Sequence, residues 1–255
     1  MNHTSISDLK AKAKDQLLGN YGIATGSFAL LFALVYGVVI LITSAMTAGA
    51  PAGSGMIDQN TLLGLIKTKA FGFVVGAFSA ILTTGYIYVL IKIARGEKPV
   101  TSDLFYTIKN HPDKIIIISF IMMAIAEILL LPATITGFDG IDSGKEFFVW
   151  IVLYVAGYIV SFVIDIYLAM TYMIYVDDPD MPVADILRES ISLMRGNCLR
   201  YFYMLLSFIG YFVLIILSLG IAALWVIPYQ TMAVVEFYED LAQKKADGGV
   251  IFDEG

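Results

Sequence analysis

Five to six long apolar segments dominate this sequence, and the lysines and arginines between them fall almost entirely on alternate connections. A helix needs about 20 residues to cross the hydrocarbon core of a bilayer. Residues 24–46, 71–93 and 115–135 meet that length, and 147–176 exceeds it, so that helix must tilt or extend into the cytoplasm. The last apolar tract, 201–235, is too long for one crossing and too short for two with a loop. Its best break is Ser218-Leu219-Gly220, giving helices over 201–219 and 221–240 joined by a tight turn on the outer side. The expected fold class is therefore an all-α polytopic membrane protein. Six transmembrane helices form one domain over residues 1–241, and a polar tail follows over 242–255.

Orientation follows from the positive charges. Lys10, Lys12 and Lys14 precede the first helix; Lys92, Arg95, Lys98, Lys109 and Lys114 lie between the second and third. Arg188, Arg195 and Arg200 lie between the fourth and fifth, and Lys244 and Lys245 follow the sixth. Thirteen bases thus stand on one side against three, Lys67, Lys69 and Lys145, on the other. The bias places both termini in the cytoplasm, which requires an even number of crossings and so favours six over five. The outer connections agree: 47–68 is rich in Gly, Ala, Ser and Pro, and 136–145 carries Asp139 and Asp142. The lysine-bearing start followed by an apolar run could be taken for a secretory signal. The 23 residues of 24–46 exceed the roughly 7–15 of a signal core, so a retained first helix is expected.

Composition removes several function classes. With 58% hydrophobic and 15% charged residues the chain lies far from the soluble norm. No basic, aromatic-interleaved patch is long enough for nucleic acid. The lone Cys198 excludes an internal disulfide and a cysteine zinc cluster, and two histidines, His3 and His111, make a multi-histidine metal site improbable. No Gly-Lys-Ser/Thr phosphate loop and no nucleophile elbow occurs, so neither enzyme activity nor a cofactor is expected.

The three cytoplasmic lead-ins resemble one another. Ser7-Asp8-Leu9 precedes Gly19-Asn20, and Ala184-Asp185-Ile186 precedes Gly196-Asn197, each with twelve residues from Asp to Asn. Ser102-Asp103-Leu104 precedes Lys109-Asn110 in a shortened version. Asp or Ser suits a helix start, and Gly-Asn suits a stop. In the third lead-in Val183, Ile186, Leu187, Ile191 and Met194 share a helical face, with Arg188, Glu189 and Arg195 off it. The pattern predicts amphipathic helices in the cytoplasmic interface, each turning at Asn into a membrane helix. The helices that complete the pairs carry Tyr86, Tyr167 and Tyr229 at similar depth. Three two-helix repeats would then be parallel, related by an axis along the membrane normal. The alternative is that any cytoplasmic connector tends to be amphipathic and to end in Gly or Asn.

Leu9-Lys10, Ala13-Lys14 and Gly19-Asn20-Tyr21 at the start are familiar, as are Ser190, Leu193-Met194, Arg195-Gly196-Asn197 and Ser207-Phe208-Ile209-Gly210-Tyr211. Gly220, Trp225, Pro228-Tyr229 and Phe237-Tyr238 complete the set. Together they resemble the bacterial membrane proteins catalogued as domain-of-unknown-function family 975, over nearly the whole chain and most specifically from Ser190 to Tyr238. More distantly, the pattern is similar to the membrane domain attached to some glycerophosphodiester phosphodiesterases. The resemblance implies a multi-helix fold in a bacterial cell membrane and no established activity. Tyr211 stands where the family often has Trp.

Two acids are expected near the membrane midplane. Glu127 lies twelve residues into the third helix, about 18 Å at the helical rise, and Asp165 lies eleven from the cytoplasmic end of the fourth, about 17 Å. A carboxylate there costs roughly 2.5–3.5 kcal/mol on insertion scales, so each should face the bundle interior, paired or protonated. No base is expected at that depth; candidate partners are Ser161, Ser207, Thr83, Thr84, Thr231, Tyr229 and Gln230. A candidate intramembrane polar site thus comprises Glu127, Asp165, Tyr229 and Gln230, and the plainer alternative is protonated acids bonding neighbouring helices. Pro228 frees the Leu224 carbonyl and predicts a kink beside Tyr229. Gly72, Gly76 and Ala80 form a small-residue stripe for close helix packing. Two functions remain: a non-enzymatic scaffold or accessory protein acting on membrane lipids or other membrane proteins, and a small transporter or channel-like protein using Glu127 and Asp165.

Overall fold

The computed structural model describes residues 4–47, 62–138 and 143–250. The loop residues 48–61, Asp139, Asp142 and the last five residues of the expected tail lie outside them. Among the described residues all regular structure is helical. α1 (Ile6–Leu17) leads into α2 (Tyr21–Thr47), and α3 (Leu62–Ala94) follows. A 3₁₀ turn, Thr101–Phe105, runs into α4 (Tyr106–Lys109) and then α5 (Pro112–Phe138). α6 (Gly144–Tyr167) and α7 (Thr171–Asp177) precede α8 (Val183–Met194). α9 (Cys198–Leu206), α10 (Ile209–Leu217) and α11 (Ala223–Val250) complete the chain.

Five segments are long and apolar enough to cross a membrane: Tyr21–Ala45, Ile66–Ala94, Pro112–Gly137, Gly144–Asp177 and Cys198–Leu217. Many of their apolar side chains are exposed, including Phe32, Leu41, Ile128, Phe148 and Ile159, whereas Ile66–Ala94 is largely buried. Continuous exposed apolar faces of this extent belong against lipid, as in a multi-pass membrane protein.

Several boundaries differ from the sequence expectation. α3 begins nine residues before 71. The fourth apolar tract is broken at Leu168–Met170, between α6 and α7, with neither Pro nor Gly there to announce it. The fifth is interrupted at Ser207-Phe208. α11 runs through 242, where a polar tail was expected, to Val250.

The chain divides into two units. One comprises Met1–Phe32, Ile81–Pro112 and Ile166–Gly255. Here α1 lies on α11 and buries Leu9, Ala13 and Leu17, a stripe at i, i+4, i+8 that faces the protein. Ser5 caps α1, its hydroxyl accepting from the Asp8 N–H at 3.1 Å. α8 lies on α7 and touches α11. The face it buries is Ile186, Ser190, Leu193 and Met194, whereas Ile191, expected on the apolar stripe, is 40% exposed. The second lead-in rests on α3: Tyr106 stacks on Tyr88 with ring centroids 3.9 Å apart, and Lys92 pairs with Asp103 at 3.0 Å.

All three lead-ins end in the same hydrogen bond. Asn20, Asn110 and Asn197 each donate from the side-chain amide to the carbonyl four residues earlier, Gln16, Tyr106 and Leu193, at 3.0, 2.9 and 3.1 Å. Gly19 and Gly196 precede two of them with φ of +88° and +85°, whereas at the second the positive φ, 49°, falls on His111. The tyrosines of the expected repeat are not alike. The Tyr86 hydroxyl is buried without a hydrogen-bond partner among the described residues. The Tyr167 carbonyl accepts from Ser190 at 2.9 Å, and the Tyr229 hydroxyl donates to the Lys10 carbonyl at 3.3 Å.

The other unit comprises Ala33–Ala80 and Asp113–Asp165. Phe73 meets Phe120 edge-on at 5.3 Å. Gly157 allows α6 close to α5, since a Cβ there would lie 2.9 Å from the Leu129 carbonyl.

Candidate functional site: a charged cluster around α11

Between Met232 and Leu241, α11 alternates buried apolar residues with acids: Met232, Ala233, Val235 and Phe237 are fully enclosed, and Glu236, Glu239 and Asp240 recur at three- and four-residue spacing. Each acid meets a base from a different element. Glu236, whose side chain is 0% exposed, has Oε2 2.7 Å from Lys12 Nζ of α1. Glu239 lies 2.8 Å from Arg95, just past α3, and the same guanidinium lies 2.8 Å from Asp177 at the end of α7. Asp240 takes Arg200 of α9 at 2.7 Å and Lys244 at 2.8 Å, and Thr4 donates to it at 2.5 Å. The Tyr238 hydroxyl donates to Asp177 at 2.6 Å, and Lys245 pairs with Glu189 of α8 at 2.5 Å.

These contacts tie α1, α7, α8, α9 and the end of α3 to one helix. Burial pushes the Arg95 guanidinium down, but Asp177 and Glu239 outweigh it and hold the group above its ordinary value. Arg200 also lies over the Phe237 ring, 4.8 Å from its centroid. Two clefts flank the cluster. One, about 570 Å³, is lined by Asp177, Met181, Glu189, Leu193 and Tyr238. The other, about 510 Å³, is lined by Leu9, Lys12, Glu236, Glu239 and Asp240.

The residues of the expected intramembrane site are divided between the units. Glu127 pairs with Lys69, so a base does meet this acid. The charge count by loop assigned Lys69 to the outer connection, but α3 begins early enough to include it. Asp165 is exposed rather than turned inward, and it makes no hydrogen bond or ion pair among the described residues. Tyr229 and Gln230 belong to the unit of α1 and α11; Tyr229 meets the rings of Phe208 and Tyr211 edge-on at 5.3 and 5.8 Å. Pro228 lies inside α11. Of the small-residue stripe, Gly76 approaches α5, a Cβ lying 3.1 Å from Met123 Sδ, and Ala80 is buried, whereas nothing lies within 4 Å of a Cβ at Gly72.

Sequence reasoning counted Arg95, Arg200 and Lys12 only as orienting charges and gave no role to Asp177, Glu236, Glu239 or Asp240. The available signal was three acids within five residues at the end of an apolar helix, where a solvated face was the simpler reading.

No curated protein and no solved structure matches the chain. The family model for proteins of unknown function DUF975 matches residues 1–245. Covering all but the last ten residues, that match makes the chain a member of the DUF975 family.

Proposed function

We propose that this chain is a non-enzymatic scaffold or accessory protein of the bacterial cell membrane, with six membrane helices and both termini in the cytoplasm. The observation that carries the reading is the closed charge framework. Lys12, Arg95, Arg200 and Lys245 are each matched to acids of α11, α7 or α8, and Lys69 is matched to Glu127. Charges matched this way hold elements in one geometry. Orientation rests on the charge bias across the connections. The three equivalent Asn hydrogen bonds support three two-helix units around an axis along the membrane normal. So does the placement of the lead-ins, one on α3, one on α7 and the first on α11. The protein would act on membrane lipids or other membrane proteins through its cytoplasmic surface.

Asp165 favours a second reading, a small transporter or channel-like protein, because its carboxylate is exposed and unpaired among the described residues. Complementation of a deletion strain by Asp165→Asn separates the two. Full complementation at normal expression is expected for the scaffold. A variant that is equally stable but inactive would move transport to first place, since only the titratable charge has been removed.

A further inference from the structure

We infer that the hairpin of α9, α10 and the start of α11 is re-entrant: its turn, Ser218-Leu219-Gly220, ends inside the hydrocarbon layer, covered by acyl chains, without reaching the outer water. The inference rests on the cytoplasmic placement of α1 proposed above; of the six membrane helices proposed there, it makes the last two enter the layer without crossing, so that four cross and both termini stay on one side.

Depth is the first argument. α1 carries exposed Asp8, Lys12, Lys14 and Asp15 and cannot lie within hydrocarbon, so its contacts mark the water boundary on the hairpin. Lys10 Nζ lies 3.2 Å from the carbonyl and hydroxyl of Ser207 and 4.3 Å from the Phe208 ring centroid, and Tyr229 donates to the Lys10 carbonyl. Lysine and tyrosine at one level form the collar expected of an interface. From Ser207 to Leu219 is twelve residues, about 18 Å of helix, and from Tyr229 back to Gly220 is nine, about 14 Å. Even from Glu236, which Lys12 pairs, the turn is sixteen residues away, about 24 Å. Each figure falls short of the roughly 30 Å hydrocarbon core. End to end, α2 and α5, at 27 residues each, span about 40 Å, and the 20 residues of Cys198–Leu217 about 30 Å.

The chemistry of the turn is the second. Leu217, Leu219 and Ile221 are 76%, 94% and 65% exposed, and no charged residue occurs between Arg200 and Glu236. A crossing hairpin would place these three side chains in water, at a turn with none of the acids of the outer connections. Backbone accounting is the third. Every N–H from Ser218 to Val226 has an acceptor within the hairpin, including Gly220 to the Ile215 carbonyl at 2.8 Å and Ala222 to the Ser218 hydroxyl at 2.9 Å. The Ser218 hydroxyl itself donates to the Ile215 carbonyl at 3.1 Å. A turn surrounded by lipid must satisfy its donors internally, and this one does.

Single-cysteine variants in a Cys198→Ser background test the proposal on the full chain. Ser143→Cys and Ser102→Cys report the orientation on which it rests: the first should react with an impermeant maleimide from outside, the second only after permeabilisation. The reverse would overturn that orientation and the inference with it. Given that result, Leu219→Cys should stay unreactive in intact and permeabilised membranes and react in detergent denaturant. A bimane placed there before reconstitution should be quenched most by lipids brominated deep in the acyl chain. Labelling from outside at the rate of Ser143→Cys would overturn the inference. Protection without quenching by any brominated lipid would also overturn it, because protein rather than acyl chains would then cover the turn. If Leu219→Cys does not accumulate, the same measurements on Leu217→Cys and Ile221→Cys decide in the same way.

Discussion

Gly85 lies directly beneath the carbonyl of Leu104, so close that a Cβ would come within 1.9 Å of the oxygen. The second lead-in can rest on α3 only because that position has no side chain. Gly85→Ala must displace the lead-in, and forcing a methyl into filled space costs about 1–3 kcal/mol or more. Gly72→Ala is the control, with nothing within 4 Å of its added carbon. It should gain up to about 1 kcal/mol from helix propensity. Thermal unfolding of the two variants in one detergent should move in opposite directions.

The Lys69–Glu127 pair should show coupling. Glu127→Leu leaves an uncompensated base, whereas Lys69→Met combined with Glu127→Leu removes both charges and keeps the volume. The double variant should be more stable than Glu127→Leu alone, with an interaction energy of at least about 1 kcal/mol in a double-mutant cycle. Additive effects would mean that the two side chains do not meet in the folded protein.

Arg95 holds two carboxylates from separate helices. Arg95→Lys keeps the charge but loses the planar fork that reaches both. The three side chains are 39%, 29% and 25% exposed, so screening limits the loss to about 1–2 kcal/mol. The difference from wild type should shrink between 50 mM and 1 M salt. A salt-independent difference would point to packing rather than charge.

The three Asn side chains should be energetically alike. Each of Asn20→Ala, Asn110→Ala and Asn197→Ala removes one hydrogen bond worth about 0.5–1.5 kcal/mol. Being in separate lead-ins, the losses should add in the triple variant to within about 0.5 kcal/mol. Stability measured by chemical denaturation in micelles checks this, and one Asn dominating the sum would remove the equivalence.

Local pattern made part of this structure legible. The Gly-Asn stops are encoded locally, and so is the break at Ser218-Leu219-Gly220, where Leu219 and Gly220 adopt φ of 52° and 91°. What faces each stripe was not legible. The apolar faces of α1 and α8 could meet lipid or protein by periodicity alone, and the structure turns much of them onto α11 and α7. Arg95 and Glu239 are 144 residues apart, and nothing local links them. The break at Leu168–Met170 follows no Pro or Gly, so tertiary packing of α7 and α8 overrides an unbroken apolar run. Lys69 was counted with a connection because counting charges by connection cannot see a helix that begins early.

The docking of α1 on α11 imposes an order of assembly. The surface that covers Leu9, Ala13 and Leu17 is made about 200 residues after them, an interval of roughly 10–40 s at 5–20 residues per second. Until then α1 has an apolar stripe without the helix that covers it, and the membrane surface is the nearest substitute. The α1 face is therefore closed only once α11 has been made. A chain truncated before Ala223 would leave α1 on the lipid, open to a protease that the chain with α11 resists.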